Sequence, residues 1–386
     1  MLASTYPRWR DDPEPGFVHE LARRLVDRFD IVAVVPHAPG AAVDERMDGV
    51  RVVRYRYAPA ALETLVQGGG MMTHVRRSPW KWLLVPGFLA MQWVVARRFR
   101  TADAIVHAHW IIPQGLVARL LRKPYLVTSH GADLFTLTGT LPTRIKAFVL
   151  AGAAKATVVS AAMASVVRAS FGHVRTPSVR SMGVDLSDRF TPASAPETRT
   201  TGELLFVGRL VEKKGVRFLI EALPTVLARY PHATLSIVGG GPLERELQVL
   251  AQRLGIAANV TFVGAVAQAA LPAYYRRAAL CVLPFVRSAS GDQEGLGLTA
   301  VEALGCGCPL VVGAVPAVKD VVDIAPSVRV VDGDDVAALA EACCSLLENV
   351  ERSSAAVLRD RPGLVGRFDW ASVADDYAAM LDEVGQ

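Results

Sequence analysis

The sequence predicts an α/β protein made of two doubly wound domains. Three observations lead there. Its 386 residues exceed the roughly 150 that one domain usually takes. Short β-branched runs alternate with amphipathic stretches along the whole chain, and the sign of the charge changes once, near the middle. With 51% apolar and 20% charged residues the chain can bury large cores, which excludes a disordered protein.

In the first half, Ile31–Val35, Ala104–His107, Tyr125–Ser129 and Thr157–Ser160 read as strands. In the second half Leu204–Val207, Leu235–Val238, Val260–Val263, Leu280–Leu283 and Leu310–Val312 do so. Runs apolar on both faces imply parallel sheets covered by helices. Phe17–Phe29, Gly215–Tyr230, Leu243–Leu254 and Val336–Leu347 have the period and length of crossover helices. The segment TPASAPETRTTG (Thr191–Gly202) lacks apolar periodicity and reads as the linker. The expected domains are therefore 1–190 and 200–365, with 366–386 as a closing helix that packs back on the first. Open α/β sheets bind ligands beyond the carboxyl ends of their strands, so an interdomain cleft is the expected site. Met1–Ser4 leads almost at once into Tyr6-Pro7-Arg8-Trp9, so a truncated first strand, with the natural start upstream, is expected.

Residues 1–190 carry a net charge of +11 and the remainder −6. A basic half suits an anionic partner, or serves solubility alone. All five cysteines lie in the second half without zinc-site spacing, and no secretory leader is read at the start. They read as core residues of a protein in a reducing cytoplasm. The longest apolar run, Trp82–Ala96, is shorter than the roughly 20 residues of a spanning helix. Arg76, Arg77 and Lys81 precede it, Arg97, Arg98 and Arg100 follow it, and Trp80, Trp82 and Trp93 punctuate it. Two readings stay open: a helix lying in a membrane interface, or a buried helix with solvated ends.

The strongest chemical signal is GDQEGLGLTAVEALGCGCP (Gly291–Pro309). Glu294 precedes a helix expected over Gly297–Gly305 and Glu302 lies on its first turns, so both carboxylates can face one ligand. Gly295 and Gly297 permit close backbone approach, and the free N–H groups at the helix start favour an anion. A second signal, FVGRLVEKKG (Phe206–Gly215), ends a strand and carries Arg209 and Lys214, two cations suited to a departing diphosphate. Asp332-Gly333-Asp334 has a metal-binding spacing but reads as a helix cap. His107 and His109 flank a strand end, either lining an acceptor site or packing. Gly239-Gly240-Gly241-Pro242 is not the dinucleotide fingerprint, which disfavours a nicotinamide enzyme.

GRLVEKKG, IVGGGPLERELQ, FVGAV and EGLGLTAVEALGCGCP, in this order, resemble the retaining glycosyltransferases of family 4. STYPRWRDDPEPGFVHELARRL, HAHWIIPQGL and SHGADLF resemble that family's N-terminal domain, and RFDWASVADDYAAML its last helix. The resemblance implies the GT-B fold, two Rossmann-like domains, and transfer of a sugar from a UDP- or GDP-sugar to a glycan or lipid-linked acceptor. It implies that Arg209 and Lys214 neutralise the donor diphosphate, that Glu302 binds the ribose and Glu294 the sugar hydroxyls, and that Gly208 and the backbone Gly295-Leu296-Gly297-Leu298 hold sugar and phosphates. The base is expected near Val263 and Gly264, His130 at the reacting centre with Asp133 close by, and Gly16 in a loop over the phosphates. The chain departs from many relatives in having one glycine, Gly16, where they have two before the first helix. No metal cofactor and no nucleic acid is expected; contact with an anionic membrane is. The alternative is a non-catalytic nucleotide-sugar-binding scaffold of the same fold.

Overall fold

The structure, a computed structural model, describes every residue except 11, 13–15, 67–70, 173 and 194–198. The chain forms two units, Met1–Met182 with Val373–Gln386, and Gly183–Ser372. The crossings fall earlier and later than the expected 190 and 366 because the segment after Gly183 is tied to the second unit's end. Val184 bridges Asp369, whose carboxylate accepts from Leu186 N–H and from the Ser187 hydroxyl, each at 3.0 Å. Part of the expected linker, 194–198, lies outside the described residues.

The first unit holds β1 (Val32–Pro36), β2 (Asp44–Met47) and β3 (Val50–Tyr55) in the order β1-β3-β2. Beside them lie β4 (Val106–His109), β5 (Tyr125–Ser129), β6 (Lys155–Val158) and β7 (Ser178–Val179), all parallel. Leu2 bridges both Val34 of β1 and Ala108 of β4, so Met1–Ala3 occupies the central place where a doubly wound sheet keeps its first strand. The Met1 ammonium is buried there, donates to Val32 O at 2.7 Å, and is lowered to about 5 by desolvation. A cavity of about 520 Å³ continues the slot between Phe29–Val32 and Ala104–Val106. The antiparallel pair β2–β3 was not expected. It turns through Asp48 and Gly49, at φ 49° and 86°, the two left-handed positions of a tight hairpin turn. The last helix, Trp370–Gly385, serves this unit from Val373 on. Tyr377 is buried against His107 at 5.6 Å and donates to Arg180 O, while Glu383 and Asp382 pair with Lys155 and Arg28.

The second unit is one parallel sheet of β8 (Thr200–Val207), β9 (Thr234–Val238), β10 (Val260–Gly264), β11 (Ala278–Leu283), β12 (Leu310–Gly313) and β13 (Arg329–Val331). Its order is β10-β9-β8-β11-β12-β13. The chain winds outward one way from β8 and then restarts at β11 in the other direction, so the loops after these two strands diverge and leave a crevice at their carboxyl ends. β11 is buried throughout, as its run of apolar residues requires.

Candidate active site

Both sequence motifs of the second unit lie at that switch point. The turn after β8 contains a short helical turn, Glu212–Lys214, and then Gly215 at φ 68°. A Cβ at Gly215 would stand 1.8 Å from Pro284 O, so only glycine lets this turn press against the exit of β11. Val286 N–H donates to Lys213 O at 3.0 Å, and Lys213 Nζ donates to Gln293 O, stitching the two loops together. Lys214 is thereby aimed at Glu294: Nζ lies 2.7 Å from Oε2, both side chains being largely buried, and sits 4.6 Å above the Phe285 ring. Burial pushes the Glu294 carboxyl up, but the ammonium groups of Lys214 and Lys213 and the Gly295 N–H outweigh it and hold it at about 2.

The helix expected over Gly297–Gly305 runs from Leu298 to Gly305. Gly297, at φ 85°, precedes it; a Cβ there would meet Phe285 Cε2 at 2.8 Å. No side chain caps this helix, so its opening amides and positive dipole end are left for another partner. Thr299, in its first turn, has a buried Oγ1 without a hydrogen-bond partner. Glu302 follows one turn later, 7% exposed, and accepts from Tyr275 Oη at 2.9 Å. Burial raises its carboxyl to about 7 against the Tyr275 bond and the charges of Lys214 and Arg189. The two glutamates of the motif are thus held apart: one is fixed as an anion, the other is poised to titrate near neutrality.

Of the remaining expected donor ligands, Gly208 lies beside the Lys214 stem, and a Cβ on it would be 3.7 Å from Lys214 Cε. Arg209 is exposed at the end of β8, with no ion pair among the described residues. Gly295 N–H is turned to Glu294 Oε1 at 3.2 Å, and Leu296 is buried. Phe262 and Gly264 pair with Ile237 and Val238, which leaves Val263 bulged out of the ladder. The Gly264 carbonyl already accepts from Gly239 N–H at 2.8 Å.

In the first unit, His130 follows β5. Its Nε2 is 3.1 Å from His109 Nδ1, and its ring meets Phe17 at 4.9 Å and Trp110 at 5.0 Å. Burial lowers it to about 3, so the imidazole is neutral at any ordinary pH. Trp110 is held at φ 77°, rare for a bulky residue, by its N–H to Thr128 O at 2.7 Å. Gly16 begins the helix Phe17–Arg24, which carries Phe17 to His130. Its φ is −91°, and a Cβ at this position would stand 3.6 Å from Pro7 Cγ, an ordinary contact, so the local backbone does not demand glycine. Residues 13–15 before it lie outside the described residues.

Two expectations change, for Asp133 and for the helix cap, and for His107 and His109 the packing alternative is the one observed. Asp133 is not a free ligand but a loop clamp: its carboxylate accepts from Ile111 N–H at 2.6 Å, Ser129 Oγ at 2.9 Å and His130 N–H at 3.2 Å. His107 and His109 are buried packing groups, His107 bonded to Thr128 Oγ1 at 2.8 Å, and burial keeps both imidazoles neutral. The helix Val336–Leu347 is capped by Asp335, which accepts from Ala338 N–H, and not by Asp332 or Asp334. All five cysteines are free and buried. Sequence reasoning passed over Thr299, Tyr275, Phe17 and Trp110. Of these Thr299, Phe17 and Trp110 stood within the quoted motifs EGLGLTAVEALGCGCP, STYPRWRDDPEPGFVHELARRL and HAHWIIPQGL, and Tyr275 stood outside them.

Comparison with known proteins agrees with this architecture. Residues 17–181 match the family described as glycosyl transferase 4-like domain, and residues 201–349 the one described as glycosyl transferases group 1. A GDP-mannose-dependent α-(1-6)-phosphatidylinositol monomannoside mannosyltransferase of Mycolicibacterium smegmatis is 35% identical over 208 residues, 52% of this chain and 54% of that relative. The match therefore spans about half the length of that relative. Glycogen synthase of Mycobacterium tuberculosis is 27% identical over 94% of this chain and 89% of its own. Among solved structures, sucrose-phosphate synthase of Thermosynechococcus elongatus superposes with a TM-score of 0.80 at 20% identity, over 99% of this chain and 98% of that one. Anabaena HepE in complex with UDP-glucose gives 0.73 at 16% identity, also over 99% and 98%. These neighbours share the GT-B fold of two Rossmann-like domains. With one family profile on each half, in the order and at the places where the motifs stand, the chain belongs to the group 1 glycosyltransferases of family 4.

Proposed function

We propose that this protein is a retaining, metal-independent hexosyltransferase that takes a sugar from a UDP- or GDP-sugar to a glycan or lipid-linked acceptor in cell-envelope or exopolysaccharide assembly. The observation that carries the reading is the anion site at the switch point of β8 and β11. Lys214 and an uncapped helix start face the same crevice, with the partnerless Thr299 hydroxyl in that helix's first turn.

Cleaving an anomeric C–O bond through an oxocarbenium-like state separates charge, and the diphosphate gains negative charge as it leaves. Donors fixed in advance around that group lower the barrier, each worth about 2.7–4 kcal/mol in comparable sites. Lys214, Arg209 and the amides of Leu298 and Thr299 are those donors. Glu294, kept ionised by Lys214, accepts hydrogen bonds from sugar hydroxyls; as nucleophile it would forfeit them. Retention then follows from attack on the leaving-group face, with the departing phosphate taking the acceptor's proton. Glu302, ionised above about pH 7, accepts from the ribose hydroxyls. The bulged backbone of Val263 offers groups to the base edge. His130, neutral and oriented by His109, donates or accepts a hydrogen bond near the acceptor and does not serve as a base. Five reduced, buried cysteines fit work in the cytoplasm.

Relatives named as GDP-mannose-dependent make GDP-mannose the first donor to try, followed by a panel of UDP- and GDP-sugars. Thermal stabilisation by one donor, turnover with it, and an α-anomeric product from an α-donor by proton NMR are expected. Stabilisation without transfer or hydrolysis would make the protein a binder, and an inverted product would remove the front-face mechanism.

A further inference from the structure

From Thr64 to Ala102 the sequence carries six basic residues and no acidic one. Within this stretch the short helical turn Pro79–Leu84 runs directly into the helix Val85–Ala96, and Arg97–Phe99 continues it. The helix is apolar around its whole circumference, a composition that normally means burial on all sides. Only Phe88, Gln92, Val95 and Ala96 are buried. Phe88 packs edge-on to Tyr55 and Tyr57, the Gln92 amide donates to Val34 O at 3.2 Å and Trp93 Nε1 donates to Leu120 O at 3.4 Å, which anchors the helix to the first unit.

The opposite face is uncovered. Trp80 is 49% exposed, Trp82 47%, Leu83 81% and Met91 36%, and Pro86 and Ala90 are exposed with them. Leu83, Pro86, Ala90 and Arg97 follow one another at helical spacing and share a side. Basic groups rim this face: Arg77 and Arg98 are exposed, and the exposed Arg97 lies 5.1 Å from the Trp93 ring centroid; Lys81, part-buried, donates to Thr64 O at 3.1 Å. Large apolar side chains standing in water, bordered by cations in a segment that has no acidic residue, are the composition of a surface that lies in the headgroup layer of an anionic bilayer. No helix among the described residues is long and apolar enough to cross a membrane.

We propose that Pro79–Phe99 docks the first unit on an anionic lipid bilayer, Trp80, Trp82 and Leu83 entering the boundary between headgroups and acyl chains, and Arg77, Arg97 and Arg98 meeting lipid phosphates. This deepens the proposed function, since a lipid-linked acceptor lives at that surface, but binding is measured without turnover, so either can fail alone. The whole chain is to be sedimented with vesicles of phosphatidylcholine alone and of phosphatidylcholine with phosphatidylglycerol, with tryptophan fluorescence as a second readout. Binding to the mixed vesicles, weakened by salt, with a blue shift, is expected. The pair Trp82→Ser/Leu83→Ser should lose about tenfold in partitioning. Arg97→Ala/Arg98→Ala should lose the preference for anionic vesicles, and both pairs should keep the thermal midpoint and any activity on a soluble acceptor. No binding to either vesicle, equal binding to both, or unchanged partitioning in well-folded variants overturns the proposal. So does a dimer that dissociates when Trp82 and Leu83 are replaced, which would make this face a contact between two copies.

Discussion

The loop after β11 in the second unit and the loop after β5 in the first are the same construction, a glycine-bearing turn from a parallel strand into a helix, yet they are opposite in charge character. The first gathers Lys214, Lys213 and Glu294 about an uncapped helix. The second holds the neutral rings of His130 and His109 among Phe17 and Trp110, with its single carboxylate, Asp133, turned inward onto backbone N–H groups. Under the proposed function, charge that develops on the leaving group is met where ions are already paired and largely buried. The neutral site holds imidazoles that desolvation keeps from ionising. A division of this kind predicts that variants in the second unit act on the donor and its departure, and variants in the first on turnover alone.

The largest effect is expected from Lys214→Ala, which should lower kcat by about 10²-fold or more through loss of one leaving-group donor, with circular dichroism unchanged. Turnover within a few-fold of the parent at saturating donor would break the contrast. His130→Ala should lower kcat by roughly tenfold while leaving donor KM alone, and His130→Gln should keep the shape of the kcat–pH profile, because the imidazole, held at about 3, has no proton to lose there. A limb near the ordinary imidazole value that vanishes in the variant would contradict it.

The two glutamates sharpen the contrast within the donor site. Glu302→Gln should raise donor KM by about tenfold and abolish any preference for ribose over 2′-deoxyribose donors. Parent donor KM should fall as pH rises through about 7, the Glu302 value. Its folded value lies above the unfolded 4.5, so its contribution to stability is complete below pH 4.5 and is lost as pH rises to about 7. Glu294, held at about 2, contributes in the other sense: its stabilisation is present above 4.5 and lost as pH falls toward 2. Urea titrations at about pH 5 and pH 8 should therefore show Glu302→Gln gaining stability over the parent only at the higher pH. The smallest effect belongs to Tyr275→Phe. Losing one hydrogen bond to a carboxylate should raise donor KM about threefold and move its pH midpoint upward; an unmoved midpoint would reduce Tyr275 to packing.

The sheets were legible wherever β-branched runs were apolar on both faces; β5 has the expected bounds, and β8 to β12 lie within a few residues of theirs. The β2–β3 pair was missed because β2, Asp-Glu-Arg-Met, is mostly polar and exposed, and two arginines interrupt the valines of β3. β7 and β13, at two and three residues, are too short for any period. The crevice in the second unit was legible because E-x7-E and GRLVEKKG each follow a strand. Thr299 and Tyr275 were not: the partnerless hydroxyl and the bond to Glu302 exist only once α-helical turns from distant sequence stand side by side. Asp133 misled because a carboxylate beside a strand-end histidine looks like a ligand, and only the folded loop shows three N–H and O–H groups already on it.

The most direct measurement is a crystal structure of the complex with the nucleoside diphosphate of whichever donor stabilises the protein. The account predicts phosphate oxygens within hydrogen-bond distance of Lys214 Nζ, the Thr299 hydroxyl and the Leu298 and Thr299 amides, with Glu302 on the ribose. Phosphates bound away from the exits of β8 and β11, with the Lys214–Glu294 pair untouched, would contradict it.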